Sequence, residues 1–185
     1  MITDLPYTLI VDGVQRKIYA DFRDVINILI SYNDPELDAE TRTFILLNNL
    51  YEDDFTNFED IDEAIKQAVW FIDCGKDYTK AESLPHRLMD WEQDYNIIVS
   101  AVNKSANVLD LRELPFLHWW TFMGYLEERG ECTFSYVVEI RDKLSKGKNL
   151  EKYEREFLNS NREQVILQDK FSEDEQRQID EIFGE

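Results

Sequence analysis

The sequence has few of the residues that break or cross-link a folded chain: six glycines, four prolines and two cysteines among 185 residues. The glycines are too scattered for a phosphate-binding loop, and no G-x-S-x-G motif occurs. Cys74, His86, His118 and Cys132 are too far apart in sequence to form the close ligand pairs of a zinc site. We therefore expect a protein that is not an enzyme, with no catalytic residues, no cofactor and no metal.

Basic residues are also scarce. The chain has 20 Lys and Arg against 39 Asp and Glu, which gives a formal net charge of -19. Nucleic acids and anionic lipid surfaces repel such a chain, so we expect neither to be a direct partner. The N-terminus lacks a secretory signal, and no apolar run approaches the ~20 residues of a membrane helix. These features predict a cytoplasmic protein with reduced, buried thiols.

Apolar residues are plentiful, at 43% of the chain, which is enough for a self-supporting core in one domain. The first structural signal is Asp12-Gly13, a dipeptide suited to a type I′ turn, between two segments with β-branched residues. It predicts a β-hairpin at about 7–20. The strands are expected at about 7–11 and 14–20.

The rest of the chain has helical patterning. Asp34 and Pro35 are typical of the N-cap and first position of a helix, and Asp60 and Glu63 of a capping box. Thr133 is typical of a further N-cap. Apolar residues recur at helical spacing at about 22–32, 37–47, 61–72, 88–102 and 134–144. The sequence thus predicts a mostly α fold, a helical bundle with a short N-terminal β-hairpin.

The stretch "LPFLHWWTFMGYLEERGEC" at 114–132 is unusually apolar. Pro115 suits the first position of a helix and Gly130 the position after its end, which predicts a helix at 115–129. Such a helix lies at the centre of a bundle or has one side covered by a partner. Its predicted polar stripe consists of His118, Thr121, Tyr125 and Glu128.

Individual residues of this stretch have their own expected roles. Trp119 and Trp120 are expected to anchor the core, so that replacing Trp120 by Ala costs on the order of 3–5 kcal/mol. His118 is expected to be partly buried, with a hydrogen-bonded ring. Gly124 would let a neighbouring helix come close.

Charge changes character toward the C-terminus. Residues 141–156 hold six bases and four acids, whereas 162–185 hold eight acids and three bases. Ser172 and Glu175 form a capping box before a short amphipathic segment. We predict a helical domain at 1–157 and an acidic arm at 158–185. Apolar residues beyond what one helix can bury are the candidates for partner binding: Trp70, Phe71, Trp91, Trp119, Tyr125, Ile179, Ile182 and Phe183.

Two segments carry a family resemblance: "DWEQDYNIIVSAVNKSANVLDLRELPFLHWWTF" and "LHWWTFMGYLEERGECTFSYVVEIRDKLSKGKNLEKYEREF". Together with the hairpin they resemble small proteins of tailed phages and prophages of Gram-positive bacteria, encoded between the major tail protein and the tape measure. The resemblance covers about 5–157. It is densest at Asp94, Tyr95, Leu117–Trp120 and Phe122, and in the basic run to Lys152.

The resemblance implies a tail assembly chaperone. Such a protein binds the tape measure protein and the major tail protein in the host cytoplasm, supports polymerisation of the tail tube, and is absent from the mature virion. Self-association stays open, as does a longer form made by frameshifting. The alternative is an acidic DNA mimic that inhibits a host nuclease defence system. The block "YEDDFTNFEDIDE" at 51–63 is the only local feature that favours the mimic.

Overall fold

The computed structural model of the protein describes residues 4–76 and 87–171. In these ranges the chain forms one two-stranded antiparallel sheet followed by eight α-helices. The prediction of a mostly α fold with an N-terminal β-hairpin is therefore confirmed. The chain divides into two compact units, an N-terminal unit built mainly from Pro6–Ile72 and a C-terminal unit built mainly from Asp73–Leu167.

The hairpin consists of β1 (Thr8–Val11) and β2 (Val14–Lys17). Asp12 and Gly13 have φ of 56° and 71°, the positive angles that a type I′ turn requires, which confirms the predicted turn. Leu9 and Val11 of β1 are buried, whereas its other two residues face solvent. The hairpin therefore lies on the helices through one face.

The hairpin turn is joined to the start of α3 (Ile61–Ile72). The Asp12 carboxylate accepts hydrogen bonds from the N–H groups of Glu59 (2.9 Å) and Asp60 (2.8 Å), and the Asp12 N–H donates to Glu63 Oε2 (2.8 Å). Asp60 Oδ1 accepts from the Glu63 N–H (2.8 Å), as a capping box requires. The predicted box is confirmed in this half only, because the Glu63 carboxylate reaches the hairpin instead of the Asp60 N–H.

The two other helices of the N-terminal unit are α1 (Phe22–Tyr32) and α2 (Ala39–Leu50). The prediction for α1 is confirmed at both ends. For α2 the predicted start at Asp34 and Pro35 is wrong. Asp38 is the N-cap, and its carboxylate accepts a hydrogen bond from the Thr41 N–H (2.7 Å), while Asp34 accepts one from the Glu36 N–H (2.9 Å) in the preceding turn.

The C-terminal unit contains five helices: α4 (Tyr95–Ala106), α5 (Trp119–Glu127), α6 (Thr133–Ser145), α7 (Lys152–Ser160) and α8 (Arg162–Val165). Helices α5 and α6 pack on α4, and α8 packs on α6 and α7. The helix predicted to start near Leu88 begins only at Tyr95, because residues 91–94 form a turn. None of the helices in the two described ranges is long and apolar enough to span a membrane.

Helix α6 begins one position earlier than predicted, at Thr133. Its N-cap is Cys132, not Thr133: the Cys132 sulfur accepts from the Ser135 N–H (3.5 Å), and Ser135 Oγ accepts from the Cys132 N–H (2.9 Å). Beyond the predicted arm boundary at residue 157, Val165 of α8 is fully buried against Val137 and Ile140 of α6.

Candidate partner-binding surfaces

Helix α5 begins at its histidine. His118 is the N-cap, and its Nδ1 atom accepts a hydrogen bond from the Trp120 N–H (3.1 Å). The helix is therefore shorter than the predicted 115–129: Pro115 precedes the cap, and Gly130 follows the last turn. His118 is only 3% exposed, so the prediction of a buried, hydrogen-bonded histidine is confirmed, but the imidazole does not belong to a solvent-facing stripe.

The two adjacent tryptophans lie in different surroundings. Trp119 is 1% exposed and stacks on Phe122, with ring centroids 5.6 Å apart and planes 16° apart. Trp91 packs against Trp119 at 5.6 Å. Trp120 is only partly buried. The core-anchor role predicted for both tryptophans therefore belongs to Trp119, because the helix directs the two indoles to different sides.

One side of α5, which we call the α5 outer face, carries the partly buried Trp120 and Met123 and the exposed Gly124 and Glu127. A Cβ added at Gly124 would meet no atom within 4 Å. The glycine therefore leaves the space for a close helix that the sequence predicted, and within 4 Å no residue of the described ranges fills it. Trp120 and Gly124 are four residues apart and so lie on the same side of the helix. The face thus combines a partly buried indole with space beside the backbone.

The predicted partner-binding residues divide by burial. Phe71 and Trp119 are fully buried core residues, so a partner cannot contact them in this conformation. Trp70, Trp91 and Tyr125 are partly buried. The remaining three predicted residues, Ile179, Ile182 and Phe183, lie outside the described residues, as does the predicted capping box of Ser172 and Glu175.

A buried ion pair fixes the centre of the C-terminal unit. Arg141 of α6 makes a bidentate contact with Asp94, at 2.6 Å to Oδ2 and 2.9 Å to Oδ1. Its other N–H groups donate to the carbonyl oxygens of Leu88 (3.0 Å), Gln164 (2.7 Å) and Val165 (2.7 Å). All five guanidinium donors therefore have acceptors. The pair connects α6 to the start of α4 and to the end of α8.

A second buried carboxylate lies beside this pair. Asp90 donates its N–H to Asp94 Oδ2 (3.0 Å), and its own Oδ1 accepts from the N–H groups of Glu92 (2.9 Å) and Gln93 (2.8 Å). Arg87 also pairs with Asp90. Hydrogen bonds within the unit satisfy these carboxylates. The arrangement therefore stabilises the fold of the C-terminal unit. Sequence reasoning missed it, since no local pattern links Asp94 to an arginine 47 positions away.

Helix α7 is held to α6 by a third set of contacts. The Glu154 carboxylate is fully buried, pairs with Lys143 and accepts from the Glu151 N–H (2.7 Å). The hydrogen bond from Lys143 holds the pKa of Glu154 below its usual range. The rings of Tyr136 and Phe157 meet edge to face at 4.8 Å. The two helices thus form a fixed pair.

The two cysteines of the chain both lie in the C-terminal unit. Cys74 and Cys132 are thiols and partly buried. Burial raises the pKa of the Cys74 thiol to about 11, so it is protonated at neutral pH. Among residues 4–76 and 87–171, no group of three or more His, Cys, Asp or Glu is placed to hold a metal ion.

Comparison with known proteins gives a family match. Residues 1–167 match the model of a protein family described as "Bacteriophage Gp15 protein". This range includes both compact units up to the end of α8 and the segments that carry the resemblance to phage proteins. No curated protein and no solved structure matches the chain.

Proposed function

The chain belongs to the bacteriophage Gp15 protein family, and on that premise we propose that it is a tail assembly chaperone that binds the tape measure protein and supports tail tube polymerisation. It acts in the host cytoplasm, with the major tail protein as a second partner, and is not retained in the mature virion. The proposal rests on the family membership, the resemblance of 5–157 to such chaperones, and one surface.

The α5 outer face is the observation that carries the proposal. A chaperone for a long helical client needs a strip that accepts the apolar side of a helix. The open space at Gly124 lets a client backbone approach closely, and the Trp120 indole beside it supplies a large apolar contact. Phe116, 45% exposed, adds an aromatic ring just before the helix. The client helix would lie along this face without any bond being made or broken.

The net charge of -19 supports the same role. A complex of a chaperone with an apolar client must not associate further, and a strongly charged surface of one sign opposes such association. The acids therefore keep the loaded complex soluble, while the apolar contact provides the affinity.

The acidic block at 51–63 has structural contacts of its own. Asp54 accepts hydrogen bonds from the N–H and the hydroxyl of Thr56 (3.0 and 2.7 Å), which cap a short 3-10 turn. Asp60 caps α3, and the Glu63 carboxylate accepts a hydrogen bond from the hairpin turn. The DNA-mimic alternative stays a prediction, which no feature of residues 4–76 and 87–171 favours.

Co-purification with the tape measure protein of the same phage tests the proposal. We expect the wild-type protein to be recovered with the tagged tape measure. Gly124→Leu fills the open space without touching the core, so we expect it to fold normally and to lose most of the recovery. Asn48→Leu, which places the same side chain at an exposed position of α2, is the matched control and keeps it.

Two results would count against the proposal. If the wild-type protein is not recovered with the tape measure, the function is wrong. If Gly124→Leu and Asn48→Leu are recovered equally well, the function stands but the α5 outer face is not the client site. An unchanged unfolding midpoint in both variants shows that the comparison reports binding.

A further inference from the structure

A groove of about 660 Å³ lies at the junction of α6 and α7. We call it the α6–α7 groove. Its apolar walls come from Leu144, Leu150 and Leu158, and two bases, Lys148 and Arg155, stand among them. Two asparagines complete the lining, and no acidic residue contributes to it. The chain contains 39 acids, yet this groove is lined by bases and leucines and by no carboxylate. Its charge is therefore opposite in sign to the net charge of the chain.

Within 141–156, the two bases of the groove differ from the others in having no carboxylate partner among the described residues. Arg141, Lys143, Lys146 and Lys152, the other bases of 141–156, each lie within 4.0 Å of a carboxylate. Lys148 and Arg155 have no carboxylate at that distance anywhere in the described ranges, and both are exposed. Their positive charge is therefore available to a ligand.

The groove is preformed. The turn between α6 and α7 is set by Gly147, whose φ of 63° favours glycine. The buried contact of Glu154 with Lys143 holds α7 in place. Leu150 and Leu158 are partly buried against the core of Val137, Ile140 and Val165. A ligand would not have to order these walls, which lowers the entropic cost of binding.

We propose that the α6–α7 groove binds an acidic amphipathic helix of a separate protein partner. The leucines accept the apolar side chains of that helix, and Lys148 and Arg155 bind carboxylates beside its apolar stripe. The bases of the groove attract an acidic helix, whereas the acidic remainder of the protein repels it. The acidic helix therefore binds at the groove and not elsewhere on the protein. The surface shares no residue with the α5 outer face, and the proposal does not depend on the tape measure as client.

Fluorescence anisotropy with the full-length protein tests this proposal. The probe is a labelled designed helix of about sixteen residues, roughly four turns, with a leucine stripe flanked by glutamates. Its matched control has the same leucines and lysines in place of the glutamates. We expect the acidic helix to bind and the basic helix to bind at least tenfold more weakly. We also expect the affinity for the acidic helix to fall as salt is raised.

Protein variants locate the binding. Lys148→Glu with Arg155→Glu should weaken binding of the acidic helix at least tenfold. Lys17→Glu with Lys66→Glu makes the same change in net charge at exposed positions of the N-terminal unit and should have a much smaller effect. All four side chains are solvent-exposed or nearly so, and equal unfolding midpoints confirm that both double variants fold.

Several results would overturn the proposal. Equal binding of the acidic and basic helices, or equal effects of the two double variants, would show that the groove does not select acids. Tighter binding of a peptide spanning 172–185 of this chain would make the protein's own end the occupant. Self-association that the groove variant abolishes would make a second copy the occupant.

Discussion

Trp119 and Trp120 are neighbours in sequence, but only one of them fills the core. Trp119 stacks on Phe122 and contacts Trp91, whereas Trp120 lies partly exposed on the α5 outer face. Replacing a large side chain by a small one lowers the free energy of unfolding most where the neighbouring residues cannot move in to fill the cavity, as between stacked rings. Two residues of one type therefore have different surroundings: Trp119 is a core residue, and Trp120 belongs to the surface that we propose as the client site.

Alanine substitutions separate these roles. Trp119→Ala should lower the free energy of unfolding by about 3–5 kcal/mol, and Trp120→Ala by only about 1–2 kcal/mol, because less of its surface is buried. Denaturant titration of each variant measures both values. Equal losses, or a larger loss for Trp120→Ala, would contradict the assignment of Trp119 as the core residue.

Arg141 is the residue on which the polar centre of the C-terminal unit depends. Arg141→Met leaves the Asp94 carboxylate buried without its counter-charge, which should cost about 3–5 kcal/mol. Adding Asp94→Asn removes that charge, so the double variant should lose less than the sum of the two single variants. A double-mutant cycle from denaturant titrations gives this coupling. Strictly additive losses would show that the two side chains do not stabilise each other.

The lowered pKa of Glu154 makes the free energy of unfolding depend on pH, and the direction of that dependence can be predicted. Because its pKa in the folded protein is lowered from the ordinary 4.5, it binds protons more weakly there than in the unfolded chain. Its contribution is complete above about 4.5 and is lost as the pH falls through the lowered pKa. The stability difference between wild type and Glu154→Gln should therefore shrink on acidification. A difference that stays constant from pH 7 to pH 3 would contradict this.

At the scale of elements, the hairpin and α3 depend on each other. Asp12 has the positive φ of the turn, and its carboxylate accepts hydrogen bonds from the N–H groups of Glu59 and Asp60, just before α3. The Glu63 carboxylate in turn accepts a hydrogen bond from the Asp12 N–H. A two-stranded hairpin is marginal by itself in water, so this junction and the buried side chains of β1 hold it in place.

Substitutions at Asp12 test the junction. Asp12→Asn keeps a side chain that tolerates positive φ and one acceptor, whereas Asp12→Ala loses both properties. We expect Asp12→Ala to cost about 1–2 kcal/mol and Asp12→Asn clearly less. Thermal unfolding of the two variants measures the order. If both variants unfold with the midpoint of the wild type, the junction does not stabilise the unit.

The elements that the sequence predicted well are those whose pattern lies within a short stretch of residues. Helix α1 was predicted at both ends because its apolar spacing lies within eleven residues. The start of α5 was wrong because Pro115 is a common first helical residue, while the actual cap, His118, is an uncommon one. The buried pair of Arg141 and Asp94 was missed because only the tertiary fold brings them together. Sequence pattern also could not show that the space beside Gly124 is left open.

At the scale of the whole molecule, two features belong together: an acidic composition and a few surfaces with partly exposed apolar side chains. The charge is spread over the chain, but the α5 outer face and the α6–α7 groove are local. These two features are what our proposal requires of a protein that binds helices and keeps its complexes in solution. The family membership shows that the protein belongs to a bacteriophage family.

The most direct test of the chaperone role is the solubility of the tape measure protein. The tape measure of the same phage is expressed with and without this protein, and its amount in the supernatant is measured after centrifugation of the lysate. We predict that most of the tape measure is soluble only when the protein is present. Equal amounts in the supernatant under both conditions would contradict the account.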